Sequence, residues 1–133
     1  MSIYVTDTHP LVWHAADHPH KLSRKVLRIF REAEEGRALV LVPALVLWEI
    51  SLLIRAGKIK LSQPFADWME MLFLLPGFEL VPLDPPVIAE AMQVHFTNDP
   101  FDAAIVSTAL IRNLPLITKD QSIIEAGLVK VAW

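Results

Sequence analysis

Five acidic side chains stand beside apolar segments of this sequence: Asp7, Glu49, Asp99, Asp102 and Asp120. A carboxylate buried without a partner costs several kcal/mol or takes up a proton. If these acids meet in one pocket, they repel one another strongly. Bound Mg²⁺ or Mn²⁺ resolves that repulsion, because hard cations prefer oxygen ligands. One or two such ions can activate water for phosphodiester hydrolysis.

The segment 98–109 predicts the start of a buried helix. Pro100 suits the first helical position, where its missing N–H costs nothing. Asp99 is then the natural N-cap, and Asp102 follows at the position of a capping-box partner. Since the residues after Asp102 are apolar almost all round, we expect this helix to lie in a larger core.

Short apolar runs alternate with helical patterns along the whole chain. We predict strands at 3–5, 38–42, 78–83, 114–118 and 129–131, and helices at 10–16, 23–36, 44–55, 64–75, 85–95, 100–113 and 121–126. We expect Thr8 or His9 to cap the first of these helices. Such alternation indicates an α/β fold, a three-layer α/β/α sandwich with a central parallel sheet of four to five strands. We expect a single domain over residues 1–133.

The fold prediction places the acids together. Ligands of parallel sheets bind beyond the carboxyl ends of the strands, where the strand order reverses. Asp7 follows the first strand and Asp120 the fourth, while Asp102 begins the helix that leads into the fourth. Glu49 interrupts an apolar helix and therefore needs a cation, a hydrogen-bond donor or a metal.

Composition limits the alternatives. The 133 residues are 53% hydrophobic, which favours burial of some surface against another chain. The net charge of −3 provides no general attraction for nucleic acid, so a polyanion needs a local patch or a bound metal. The absence of cysteine excludes disulfides and thiolate chemistry. Neither a signal peptide nor a membrane span is predicted, so we expect a cytoplasmic protein.

The acidic residues and their flanking segments resemble those of PIN-domain ribonucleases, above all the VapC toxins of toxin–antitoxin pairs. The resemblance spans essentially the whole chain and rests on Asp7-Thr8, Trp48-Glu49, Asp99-Pro100-Phe101-Asp102, Leu114-Pro115-Leu116-Ile117-Thr118-Lys119-Asp120 and the closing Val131-Ala132-Trp133. Many such toxins have an arginine directly after the second aspartate of the Asp-Pro-Phe-Asp motif, where this chain has Ala103.

The resemblance implies an activity and partners. It implies an Mg²⁺-dependent endoribonuclease for single-stranded RNA, with Mn²⁺ able to substitute, that forms a homodimer and is blocked by a cognate antitoxin. Asp7, Glu49, Asp102 and Asp120 match the acidic quartet of the family and are the expected catalytic metal ligands. Asp99 is a further candidate ligand.

Supporting residues are predicted around these acids. Thr8 and Thr118, and less directly Ser107, are placed to hydrogen-bond the ligating carboxylates. Lys119, beside Asp120, is a candidate phosphate contact. The basic helix face with Arg24 and Arg28 is either solvated or a second RNA contact.

Each feature also has a purely structural explanation. Asp99, Asp102 and Asp120 can serve only as helix caps, and Glu49 can pair with an arginine such as Arg55. We expect His14, near the end of the first helix, and His18 and His20, in the loop after it, to be solvated rather than to bind a metal. The apolar run 68–75 exceeds what one helix face buries and indicates an interface or ordinary core.

Two other functions remain open. One is a phosphoryl-transfer protein of similar topology, but a dehalogenase-like phosphatase needs an acid where this chain has His9. The other is a non-catalytic PIN-like module that only binds RNA or protein.

Overall fold

The structure, a computed structural model, describes all residues from Met1 to Trp133. The strands are β1 (Ser2–Thr6), β2 (Ala38–Pro43), β3 (Phe78–Val81), β4 (Leu116–Ile117) and β5 (Val131–Ala132). The helices are α1 (Thr8–Ala15), α2 (Arg24–Glu34), α3 (Ala44–Arg55), α4 (Phe65–Leu74), α5 (Pro85–Ala91), α6 (Pro100–Arg112) and α7 (Gln121–Ala126), with a 3₁₀ turn at Pro19–Lys21.

The five strands form one parallel sheet in the order β3-β2-β1-β4-β5. The chain builds outward from β1 to β3 and then returns to the other side of β1, where it adds β4 and β5. The strand order therefore reverses between β1 and β4, and the crevice for a ligand lies beyond their carboxyl ends.

Helices cover both faces of the sheet. Val40, Leu41 and Val42 are buried in succession, although successive side chains of a strand point to opposite faces. Leu116 and Ile117 of β4 are likewise both fully buried. The predicted three-layer α/β/α sandwich is thus confirmed, with a core of 28 buried apolar residues between its layers.

Side-chain caps fix where several helices begin. Ser23 accepts a hydrogen bond from the Val26 N–H at the start of α2, and Asp84 does the same for Val87 in α5. The cap of α1 is Asp7, so the expectation of Thr8 or His9 was wrong. Pro10 consequently is the third residue of the helix, within the first turn, where a missing N–H still costs no hydrogen bond.

Element ends differ most from the prediction. Helix α5 stops at Ala91 instead of 95. Beyond it the N–H groups of Gln93 and Val94 bond three residues back, so the last turn tightens into 3₁₀-like geometry. β3 and β4 are also shorter than predicted, and β5 is shifted by one to two residues.

The apolar run 68–75 divides between core and surface. Trp68 and Leu72 are almost fully buried, whereas Leu74 is 78% and Met71 45% exposed. Part of the run is therefore ordinary core, and part is free to meet another chain. None of the helices has the length and hydropathy needed to span a membrane.

Candidate active site

A polar pocket of about 370 Å³ lies at the carboxyl ends of β1 and β4. It brings together all five candidate acids and the one candidate cation next to them. The lining residues are Asp7, His9, Trp13, Glu49, Asp99, Asp102, Lys119 and Asp120. Side chains more than a hundred positions apart in sequence thus converge at the predicted switch in strand order.

Asp7 is the most buried acid of the pocket, with 6% of its surface exposed. Its Oδ1 accepts the Thr8 N–H at 2.8 Å, and its Oδ2 accepts the Thr118 hydroxyl at 2.7 Å. Burial raises the pKa of Asp7, and these two hydrogen bonds oppose the rise. Each carboxylate oxygen retains a second lone pair, so Asp7 is oriented but still able to bind a cation.

Glu49 is hydrogen-bonded to Thr8, which also contacts Asp7. The Thr8 hydroxyl donates to Oε1 of Glu49 while its backbone N–H donates to Oδ1 of Asp7, so one residue orients two carboxylates. Glu49 forms no salt bridge, and the alternative pairing with Arg55 does not occur. Burial, together with the charges of Asp7 and Asp99, raises the pKa of Glu49.

Asp102 has no hydrogen-bond partner on its carboxylate. The capping-box explanation requires Asp102 to accept the Asp99 N–H, but that N–H donates to the Thr97 hydroxyl at 3.0 Å instead. Burial, followed by the charges of Asp99, Asp7 and other acids, raises the pKa of Asp102 to about 7. A purely structural role does not explain such a half-buried, unpartnered carboxylate.

Asp99 and Asp120 cap helices with one oxygen and leave the other free. Oδ1 of Asp99 accepts the N–H groups of Phe101 and Asp102 at 2.8 and 3.3 Å. Oδ1 of Asp120 accepts the N–H groups of Ser122 and Ile123 at 2.9 and 3.2 Å. Capping and ligand binding are therefore compatible in both residues, since each Oδ2 has no donor within the chain.

The donor set of the pocket suits a hard divalent cation. All five acids offer oxygen, and burial together with the charges of neighbouring carboxylates raises the pKa of Asp7, Glu49 and Asp102. No three carboxylate or imidazole side chains are arranged closely enough to enclose a metal ion by themselves. Mg²⁺ is commonly held by only one or two carboxylates and keeps several of its waters, so a pocket of this volume fits a hydrated ion.

Three candidate residues lie outside the pocket. The Ser107 hydroxyl donates to the Ala103 carbonyl at 2.7 Å and hydrogen-bonds none of the acids. Arg24 and Arg28 are exposed on α2, and Arg28 lies 3.8 Å from Glu32. The structure thus brings none of them to the acids.

The expectation that the three histidines are solvated was wrong for His14. This residue is part of α1, packs against the rings of Phe30 and Phe78, and bonds Glu34 through Nε2 at 2.7 Å. His18 and His20 remain exposed, as expected of a loop. The environment of His14 depends on packing between distant elements, which local sequence does not reveal.

Sequence reasoning missed His9 and Trp13 as pocket residues. They are four positions apart and so lie on one face of α1. Asp7 caps this helix at the pocket. Had the start of α1 been predicted correctly, the spacing of His9 and Trp13 would have placed both residues beside Asp7. Trp13 also lies near Lys119, whose Nζ is 5.9 Å from the ring centroids of both Trp13 and Trp133.

Comparison with known proteins identifies the fold. A family model described as the PIN domain matches residues 4–128. The chain is similar to VapBC2 from Rickettsia felis bound to a promoter DNA fragment, at 16% identity over 98% of this chain and 97% of that chain, with a TM-score of 0.68. It is also similar to FitAcB from Neisseria gonorrhoeae (20% identity, 96% and 95% covered, TM-score 0.63) and to DNA-bound VapBC from Salmonella typhimurium (14%, 99% and 98%, 0.66). No curated protein sequence matches.

Proposed function

The chain belongs to the PIN-domain family, and from that premise we propose that it is an Mg²⁺-dependent endoribonuclease acting as the toxin of a toxin–antitoxin pair. The observation that carries the proposal is the meeting of Asp7, Glu49, Asp102 and Asp120 in one pocket, each with an oxygen lone pair directed to no donor of the chain. Together with the raised pKa of Asp7, Glu49 and Asp102, this geometry favours a cation-binding site.

The residues of the site then divide into metal ligands and residues that orient those ligands. Asp7, Glu49, Asp102 and Asp120 would hold one or two Mg²⁺ or Mn²⁺ ions, directly or through water of the ion, with Asp99 as an additional ligand. When bound, the metal supplies a Lewis acid that activates water and stabilises negative charge on the phosphodiester. Thr118 and Thr8 fix the orientation of Asp7 and Glu49.

Lys119 supplies the positive charge that the substrate requires. It lines the acidic pocket but forms no salt bridge there. Its ammonium group is therefore available to bind an RNA phosphate as the phosphodiester approaches the acids.

The proposal includes two protein contacts. Solved relatives of this fold are described as VapBC complexes and as a toxin–antitoxin complex, which supports a cognate antitoxin as a partner. Exposed apolar side chains such as Leu74, Ile88 and Met92 support burial in a homodimer. The proposal also includes a cytoplasmic location.

A cleavage assay tests the proposal. A panel of structured RNAs, including transfer RNAs, is incubated with the purified protein in Mg²⁺ or Mn²⁺ and in EDTA. Asp102→Asn is assayed in parallel, and Glu79→Gln, which removes an exposed acid outside the pocket, is the matched control. We expect cutting that needs the metal, persists in the control and is lost in Asp102→Asn. Cutting in EDTA, or full activity of Asp102→Asn, would overturn the proposal.

A further inference from the structure

Trp13 separates the acidic pocket from a second cavity. That cavity has a volume of about 290 Å³ and lies between α1, the 3₁₀ turn and α2. Trp13 is the one residue that lines both spaces. Its partly exposed indole meets Trp133 edge-on, with ring centroids 6.1 Å apart and an interplanar angle of 70°. A ligand that occupies both cavities must therefore pass across this indole.

Two ammonium groups without salt bridges lie over the ring of the same indole. Nζ of Lys119 and Nζ of Lys21 are each 5.9 Å from the Trp13 ring centroid, on exposed side chains without salt bridges. An aromatic surface flanked by free ammonium groups suits a ligand that combines a flat ring with anionic groups.

The second cavity has the chemistry of a pocket for a flat heterocycle. Leu22, Leu27 and Phe30 give it an apolar wall, while Arg31 and Glu34 provide hydrogen-bond donors and acceptors at its edge. Nucleobases are recognised in this way, by stacking on an aromatic face and by hydrogen bonds to their edges.

We propose that Trp13 is a stacking platform for an unpaired RNA base, which enters the second cavity while the neighbouring phosphate lies in the acidic pocket. Lys119 and Lys21 then bind the phosphates on either side of that base. This assignment rests on the proposed nuclease function and adds a binding determinant to it. It also gives a physical reason for single-strand preference, because a base held in a duplex cannot leave its neighbours to stack on Trp13 without an unstacking cost.

Fluorescence tests the stacking directly and without turnover. The Asp102→Asn variant in Mg²⁺ is titrated with a ten-nucleotide single-stranded RNA of mixed sequence and with the same strand annealed to its complement. The chain has four tryptophans, so the response is assigned by adding Trp13→Phe or, as the control, Trp48→Phe to this variant. Trp48 is 60% exposed on α3 and lines neither cavity. We expect quenching by the single strand, weak quenching by the duplex, and loss of the signal only in Trp13→Phe.

Kinetics of cleavage provide a second readout. Trp13→Leu retains apolar bulk but removes the aromatic face, whereas Trp13→Phe retains a smaller face. Stacking of one base on an aromatic side chain corresponds to a change in affinity of about 5- to 150-fold. We expect KM to rise by about that factor in Trp13→Leu, with kcat and Tm largely retained, and to rise less in Trp13→Phe.

The outcomes separate this inference from the nuclease proposal. If cleavage is metal-dependent but Trp13→Leu has an unchanged KM, or the single strand does not quench Trp13, the stacking platform is refuted and the nuclease stands. If no RNA is cut although Trp13 is quenched by single strands, the nuclease proposal fails and base binding stands.

Discussion

Replacing Asp102 by Asn should stabilise the metal-free protein at neutral and alkaline pH. The pKa of Asp102 rises from 3.8 to about 7 on folding because the carboxyl is half-buried and faces other acids. The native state therefore binds the proton more tightly than the unfolded state, and stability falls as pH rises from about 4 to about 7. The amide of Asn has the shape of the carboxyl group and removes this charge.

The size of the effect follows from opposing terms. The full rise in pKa corresponds to a ceiling of about 4 kcal/mol, but solvent screening of a half-exposed group reduces this to about 1–2 kcal/mol. A carboxylate in the first turn of α6 also gains about 0.3–1 kcal/mol from the helix N-terminus, which Asn forfeits. Removing the buried charge outweighs the lost interaction with the helix N-terminus. We therefore expect a net gain in the free energy of unfolding of about 1 kcal/mol, or about 3 °C in Tm.

Urea denaturation in EDTA at several pH values measures this difference. Glu79→Gln serves as the control, since it removes the same charge from an exposed position outside the pocket. The gain for Asp102→Asn should be complete at pH 8 and should shrink as the pH approaches 4. Equal or lower stability of Asp102→Asn at pH 8 would refute the claim that the acids of this pocket repel one another.

Substitutions at three further residues test the supports of the pocket and the packing of the sheet. Thr118→Val removes the hydroxyl that donates to buried Asp7 at 2.7 Å and should lower the free energy of unfolding by about 1.5–3 kcal/mol in urea titrations; an unchanged midpoint would argue against that bond. Asp120→Ala should lose about 1 kcal/mol of stability with the α7 cap, whereas Asp120→Asn keeps the cap, and both should lose RNA cleavage; cleavage by Asp120→Asn would contradict its role as a ligand. Gly77→Ala should yield unfolded protein by circular dichroism, because its Cβ would lie 2.3 Å from the carbonyl oxygens of Ala33 and Ala38; a native spectrum would show that the backbone yields there.

Local sequence was sufficient for features that depend on neighbouring residues. Asp99 caps α6 with Pro100 at its first position, and α3 spans Ala44–Arg55 as expected. The alternation of apolar runs and helical patterns predicted the parallel sheet. The sheet in turn predicted that Asp7 and Asp120 lie together at the carboxyl ends of their strands.

Features that depend on tertiary packing were beyond local sequence. The missing capping-box bond of Asp102 depends on Thr97 occupying the Asp99 N–H, a detail of loop geometry. The indole of Trp133 reaches Trp13 only because β5 pairs with β4, and β4 with β1. Sequence analysis therefore found the acids of the pocket but not the aromatic surface beside them.

Binding of Mn²⁺ to the isolated protein tests the central claim most directly, namely that the acidic pocket is a divalent metal site. Calorimetric titration or the loss of the free Mn²⁺ EPR signal would be compared for the unaltered chain, Asp7→Asn, Asp102→Asn and the Glu79→Gln control. We predict saturable binding that Mg²⁺ displaces, that persists in the control and that each pocket substitution weakens at least about tenfold, the effect of losing a carboxylate contact worth about 1.4 kcal/mol. Equal Mn²⁺ binding by all four proteins, or none by the unaltered chain, would contradict the account.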